Sequence, residues 1–353
     1  MKKIKPTTSD VALLAGVSQS AVSMILNHPT HPRFSPETVK RVLEAAKELG
    51  YEPRSRIIRQ SGRFHTKTLL ILCPVISNPY YSSLVQAAEQ EAEKEGFFTV
   101  VCNTYRSAHR EQKILSEFQG GTICGVVFAS IPQSRELVEK INQEIPVVVI
   151  GDRNTSIAVD TVEIDSILSG KLTAEHLLSL GHRNAAFLST TLNEQNAVRV
   201  NRLEGFQQAF QKAGGQVHIF SQEVTSEDDL QNLMIEHSIG FSLAQQAMRE
   251  PTITALVAVN DMVAYGVVSA VKEAGFSIPE DYSVCGFDNI FPSQYTGISL
   301  TTVEHCILEK GRNAVQILAE RISAKQDLPV SIKRLEYRPR LIVRNSTGAP
   351  RTG

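Results

Sequence analysis

Gln19, Ser20, Ser23 and Asn27 stand in the stretch QSAVSMILN at spacings that put their amides and hydroxyls on one side of a helix. Val22, Ile25 and Leu26 point to the other side. A short polar helix face of this kind has the size and the donors and acceptors to enter a major groove. A second set of chemistry-bearing residues is spread along the rest of the chain. Tyr80 and Tyr81 follow an apolar run, where an aromatic face stacks on a sugar or base ring or simply packs. Asp165 begins a helical stretch after VEI, and its carboxylate suits either two hydroxyl groups or the cap of that helix. Asn260 and Asp288 end two further apolar runs, placing them for ligand contact or for a turn. His176, His182 and His305 fall in helix or turn contexts and are assigned no chemistry. Nucleophile-elbow, phosphate-loop and H-E-x-x-H zinc motifs are all missing, and nothing selects two strand-end carboxylates as an acid and base pair. The expectation is a binding protein with no cofactor and no metal, not an enzyme.

The elements that carry the first set read as three helices. Thr7-x-x-Asp10 is a capping-box-like start, with a hydroxyl for an orphan amide and a carboxylate at the positive helix end. Val11, Ala12 and Ala15 keep to one face, and Gly16 supplies a tight turn. Ser18 caps the second helix, from Gln19 to about Leu26. The third opens at SPET, with Ser35 as cap and Pro36 in the first position. Its stripe is Val39, Val42, Leu43, Ala46 and Leu49, and Gly50 ends it. Three short helices with a glycine turn between the first two make a helix-turn-helix domain. The same stretch does not read as an export signal, because Asp10, Gly16, Ser18, Gln19 and Ser20 interrupt its apolar run. No apolar run is long enough to span a membrane.

Charge agrees with this division. The chain has 353 residues and a net charge of −1, yet its start is basic. Residues 1–67 carry 12 Lys/Arg and 5 Asp/Glu, a balance of +7, leaving 24 basic and 32 acidic residues, −8, for 68–353. A basic head on an acidic body suits a polyanion-binding module joined to a larger domain. The five cysteines, 73, 102, 124, 285 and 306, lack metal-ligand spacing and read as reduced residues of a cytoplasmic protein.

From Thr68 onward, runs such as LLILCPVI, FTVVCNT, ICGVVFAS and PVVVIGD alternate with helical stretches, and a second set follows in NAAFLST, QVHIFS, ALVAVND and YSVCGFDN. This alternation builds parallel sheets from βαβ units, and two sets make two lobes with a cleft at the carboxyl ends of the strands. RPRLIVRNST reads as a returning strand. The fold class is therefore α/β: a three-helix head and a two-lobed core. The expected domains are 1–52 for the head, 53–67 for a hinge or linker and 68–345 for the core. Within the core, lobe 1 takes about 68–166 and 300–325, and lobe 2 about 167–299 and 326–345.

DVALLAGVSQSAVSMILN followed by SPETVKRVLEAAKELGYEP resembles the DNA-binding headpiece of the lac repressor family (LacI/GalR). The likeness covers all three helices and the Gly-Tyr-x-Pro ending. It implies that Gln19 and Ser20 read bases, that Ser23 and Asn27 lie near the backbone, and that Thr7 and Ser18 offer hydroxyls to phosphates. Lys2, Lys3, Lys5 and Arg33 would add diffuse attraction. Met24 departs from the longer polar side chains common at its position; it touches a thymine methyl but makes no bidentate bond to guanine. After Pro53 the family has a hinge helix with a wedging leucine, whereas this chain reads RSRIIRQSGRFHTKT. Either Ile57 or Ile58 supplies the wedge while Arg54, Arg56 and Arg59 hold phosphates, or the segment is a basic flexible linker.

The body resembles the type I periplasmic-binding-protein-like core of the same family through NPYY, GH at 181–182, RLEGF at 202–206, ND at 260–261 and CGFDN at 285–289. That resemblance implies a small-molecule effector, by default a sugar, in the cleft, with Arg202 as a ligand-binding arginine. Tyr80, Tyr81, Asp165, Asn260 and Asp288 are the other expected contacts. Arg199 is expected at the surface, and Asp261 is expected to cap the helix after it. The chain is similar in sum to a repressor that binds double-stranded DNA at a pseudo-palindromic operator as a homodimer, with no membrane partner.

Overall fold

Thr7 opens the first helix as its sequence predicts: its Oγ1 accepts from the Asp10 amide at 3.4 Å, and Asp10 Oδ2 accepts from the Thr7 amide at 2.7 Å. The computed structural model describes residues 6–27, 34–51, 67–118, 122–153, 156–295, 297, 299–324 and 331–351. Helix α1 (Thr8–Ala15) ends at Gly16, whose φ of +64° is open to glycine without a Cβ penalty. Helix α2 (Gln19–Asn27) follows, with Ser18 Oγ accepting from the Ala21 amide at 3.2 Å. Helix α3 (Pro36–Leu49) is capped by Ser35 at 3.3 Å from the Thr38 amide. Val11, Ala12, Ala15, Val22, Ile25, Val42, Ala45 and Ala46 form the core of the head. Leu43 departs from the predicted stripe: one residue beyond Val42 it turns about 100° away, is exposed, and Ala45 fills the core instead. Among the described residues no single helix is long and apolar enough to cross a membrane.

Lys2, Lys3, Lys5, Arg33, Arg54, Arg56, Ile57, Ile58 and Arg59 lie outside the described residues, as do the side chain of Asn27 and nearly all of the expected hinge.

The second unit begins with β1 (Thr68–Cys73), α4 (Pro79–Lys94), β2 (Phe98–Asn103), α5 (Ala108–Glu117), β3 (Gly125–Phe128), α6 (Arg135–Asn142), β4 (Val147–Asp152) and β5 (Asp160–Ile164). Helix α7 (Ser166–Ser179) then opens the second lobe: β6 (Asn184–Thr190), α8 (Ala197–Lys212), β7 (Gln216–Gln222), α9 (Ser226–Gln231), α10 (Ile235–Ala247), β8 (Ala255–Ala258), α11 (Asp261–Glu273), β9 (Ser283–Asp288) and β10 (Thr301–Glu304). The chain recrosses to α12 (Ile307–Ser323) and β11 (Arg334–Tyr337) and returns through β12 (Arg340–Ile342). The first sheet runs β11-β5-β4-β3-β1-β2, all parallel; the second runs β12-β10-β9-β8-β6-β7, parallel except for β12. In both, the first strand of the lobe has neighbours on either side that lead to opposite ends of the sheet. That is the switch point where a crevice opens beyond the strand ends.

Central strands such as β4 and β9 are buried along their whole length, consistent with helices on both faces. Two assignments to lobes differ from the sequence reading. Residues 301–304 pair with β9 in the second sheet, and 334–337 pair with β5 in the first. RPRLIVRNST does hold the returning strand: β12 pairs antiparallel with β10, while β11 lies just before that stretch and belongs to the other sheet, across Arg338-Pro339. Short strands without an intervening helix give no sequence mark of such a crossing.

Candidate DNA-reading face and effector cleft

Ser18, which caps α2, and Gln19, Ser20 and Ser23 on it are exposed, Met24 is half-buried, and Ala21, Val22 and Ile25 face inward. Gln19 Nε2 donates to Thr8 Oγ1 at 3.1 Å, which ties the long amide side chain to the start of α1. The hydroxyls of Ser18 and Ser20 lie 3.0 Å apart. The Thr7 hydroxyl donates to Asp10 at 2.7 Å, so donation to a phosphate competes with its own capping box. The arrangement presents amide and hydroxyl groups on a helix whose other side is fixed by the head's core.

In the second unit a cleft opens between the lobes, with a cavity of about 110 Å³. Its first wall is the start of α4, where Asn78 caps the helix by accepting from the Tyr80 amide at 2.9 Å. Tyr80 and Tyr81 stand edge to face with ring centroids 5.0 Å apart. Burial raises both phenols, Tyr81 to about 12, so both are neutral hydroxyls.

The opposite wall depends on two close helix crossings. A Cβ on Gly205 would sit 1.9 Å from the Ile167 carbonyl oxygen, so only glycine lets α8 approach α7 this closely. A Cβ on Gly240 would sit 2.1 Å from the Val263 carbonyl oxygen, and the same holds for α10 against α11. The first crossing carries Arg199 and Arg202 into the cleft; the second brings Glu236 to Asn260. Arg202 is buried, donating through Nη1 to the Val259 carbonyl at 2.7 Å and through Nη2 to Asp288 Oδ1 at 2.8 Å. Asp288 has a φ of 109°, a conformation that non-glycine residues rarely adopt. Burial opposes its charge, but Arg202, His305 and Lys310 outweigh that and hold its pKa below the ordinary carboxylate value. His305 is fully buried with Nδ1 3.0 Å from Asp288 Oδ1, and burial followed by the repulsion of Arg202 lowers it to about 3.

Glu236 joins both walls. Its carboxylate accepts from Asn78 at 2.8 Å, Asn260 at 3.0 Å and Arg199 at 3.3 Å. Burial, then the proximity of Arg106, pulls Arg199 down to about 10, still charged at neutral pH. Arg106 reaches across to Asp229 at 2.5 Å.

Residues 7–54 match the pattern of the bacterial regulatory proteins of the lacI family, and residues 174–347 match the periplasmic binding protein-like domain. The chain is 30% identical to the HTH-type transcriptional regulator DegA of Bacillus subtilis, over 98% of each. This chain belongs to the lacI family. It is accordingly a helix-turn-helix regulator of transcription with a two-lobed core. Another relative is the HTH-type transcriptional repressor PurR of Haemophilus influenzae, 28% identical over 96% of this chain and 98% of that one. Among solved structures, a LacI family regulator from Enterococcus faecium with bound ribose is 26% identical, with a TM-score of 0.69 over 81% of this chain and 100% of that one.

In this lacI-family chain Tyr80, Tyr81, Arg202, Asn260 and Asp288 converge on one cleft. Asp165 does not line it: its Oδ1 accepts from the Leu168 amide at 2.8 Å, capping α7, and Oδ2 pairs with Arg153 at 3.0 Å. Arg199, expected at the surface, is buried in the cleft because it lies one turn before Arg202 on the same helix face. Asp261 does not cap α11. Asn260 does, accepting from the Val263 amide at 2.9 Å, while Asp261 is buried under the strand ends and accepts from Ser293 and Thr302 hydroxyls, each at 2.6 Å. Asp261 is raised to about 7 by that burial and by the nearby Asp288.

Sequence reasoning passed over His305, Glu236 and Lys310, all of which line the cleft. Glu236 sits in MIEHSIG, which carries no mark of function. Lys310 had a signal: a lysine among Ile307, Ala314, Val315 and Leu318, at the spacing of a buried helix face. His182 is structural, held 2.7 Å from Thr254 and 2.9 Å from Ser283. His176 likewise contacts Thr347 at 3.0 Å. All five cysteines are free.

Proposed function

We propose that this regulator is a cytoplasmic repressor, that it binds a pseudo-palindromic operator as a homodimer, and that a sugar or sugar derivative in the cleft controls it. It catalyses no reaction in this reading. Gln19 and Ser20 read base edges, Ser23, Asn27, Thr7 and Ser18 contact the backbone, and Met24 meets a thymine methyl. Ile57 and Ile58 are the candidates for a minor-groove wedge.

The observation that carries this reading is the joining in one chain of an exposed polar helix face with a cleft built around a buried arginine fixed by the Val259 carbonyl and Asp288. The ribose held by the Enterococcus faecium relative supports a sugar-sized ligand, as do the two tyrosine rings and the fan of hydrogen-bonding groups opposite them. Ligand entry acts by favouring one arrangement of the lobes. By linkage, an effector that weakens operator binding must itself bind more weakly to the DNA-bound protein.

The test is selection of bound sequences from a random duplex pool by the full chain, then salt titrations on the winner and on scrambled DNA. The expected result is an enriched palindrome bound about 10³-fold or more tighter than scrambled DNA. Equal binding of both, falling alike with salt, would reject a sequence-specific operator.

A further inference from the structure

Three of the four permanent or near-permanent cations around the cleft are matched by carboxylates. Arg106 has Asp229, Arg199 has Glu236 and Arg202 has Asp288. Lys310 has none. Its side chain is 1% exposed, and among the described residues its Nζ makes no ion pair; it donates to the Tyr80 hydroxyl at 2.7 Å. That phenol is neutral and supplies no counter-charge. An ammonium has three donors, and burying one beside a single neutral acceptor is costly. A second donor points the same way: Arg202 Nε, in the same cleft, is buried without a hydrogen-bond partner.

The charged and titratable groups facing Lys310 are Asp288, Arg202, Cys306 and Asp152, with His305 beside Asp288. Asp288 is already bonded to Arg202, and Asp152 is held by Asn201 and by the Ser166 and Arg153 amides. Burial lowers Lys310 to about 8, which leaves it mainly protonated at neutral pH. The Tyr80 ring that it touches is one of the two aromatic faces expected to lie against the ligand.

We infer that the effector is an acidic sugar derivative, carrying a carboxylate or phosphate whose oxygens take up Lys310 Nζ and supply the direct ion pair that it lacks among the described residues. This inference rests on the sugar-effector reading above and narrows it. Neutral sugars leave the ammonium with only the more distant charge of Asp288 and the Tyr80 ring, 5.1 Å from Nζ to centroid; an oxyanion on the same ring framework gives it direct charge-assisted hydrogen bonds.

The experiment is calorimetric titration of the full chain with matched sets: D-glucose, D-gluconate and D-glucose 6-phosphate; D-galactose and D-galacturonate; D-ribose, D-ribonate and D-ribose 5-phosphate. Each set is repeated on Lys310→Met, which keeps the length of the side chain and removes its charge, with thermal melting as a check on folding. The expected result is that an acidic member binds at least tenfold tighter than its neutral parent, and that Lys310→Met abolishes the preference. Carboxylate and phosphate members then identify which oxyanion is held. A neutral parent that binds as well as its acid, or an acid preference that survives in folded Lys310→Met, overturns the inference and leaves the sugar reading standing. Failure of every member to bind overturns both. Should Lys310→Met fail to fold, Lys310→Gln replaces it, and comparison of acid with parent on the unaltered chain still decides.

Discussion

Asn78, at the start of α4 in the first lobe, donates to Glu236 of α10 in the second lobe at 2.8 Å. The same carboxylate takes Asn260 and Arg199, so one acidic group ties the two walls of the cleft. Removing it strands three donors and leaves Arg199 without its counter-charge. Glu236→Ala should therefore cost about 3 kcal/mol or more of stability, with Glu236→Gln intermediate. Urea denaturation of the three proteins measures this, and an unchanged midpoint in Glu236→Ala would contradict it.

Arg202→Ala removes the group that holds Asp288 and the Val259 carbonyl. Effector response should be lost while operator affinity in the absence of effector is retained, provided that the variant is folded. The measurement is operator binding with and without the effector identified by titration. A fully responsive variant would take Arg202 out of the site.

Gln19→Ala and Ser20→Ala should each weaken binding to the selected operator by about 1–3 kcal/mol for every base-edge hydrogen-bonding pair removed, with little change on random DNA. Equilibrium binding to both duplexes separates base reading from general attraction. Equal weakening on the two would mean that these side chains only support the backbone.

Asp165 is placed as a helix cap outside the cleft. Asp165→Ala should lower stability by about 1 kcal/mol and leave the effector dissociation constant unchanged. Calorimetry and thermal melting on the same sample test both halves; a tenfold weaker effector would restore Asp165 as a ligand-binding residue.

His305, lowered to about 3 from its ordinary 6.5, gives stability its direction with pH. The unfolded chain takes up a proton below about 6.5 that the folded chain refuses until about 3. The contribution is thus present above pH 6.5 and is lost as pH falls towards 3, where Asp288, also lowered, adds to the loss. Within that window the slope attributable to His305 is about 1.4 kcal/mol per pH unit at most. Denaturation between pH 7 and 4 should show the decline, and folded His305→Gln should show a shallower one. An identical slope in the variant would assign the acid sensitivity elsewhere.

Local chemistry wrote the head into the sequence. Thr7 with Asp10, Gly16, Ser18, Ser35 with Pro36, and Gly50 each act within a few residues of themselves, so cap, turn and helix boundaries follow from neighbours along the chain. The alternation of apolar runs and helices likewise fixed two parallel βαβ sets, and Tyr80, Tyr81, Arg202, Asn260 and Asp288 were legible as strand-end or motif residues.

What only the tertiary structure decided are relations between distant segments. Sheet membership of 301–304 and 334–337 depends on pairing partners far away in the chain. Asp165 and Asp261 look equivalent as carboxylates at helix starts. Yet one caps at a half-exposed edge beside Arg153, and the other is buried among Ser293 and Thr302. Glu236, His305 and Lys310 acquire their roles because a cleft closes around them, and that burial lowers both His305 and Lys310. A sequence orders residues along a line; which charge meets which counter-charge is set by the packing of helices that glycines such as Gly205 allow to touch.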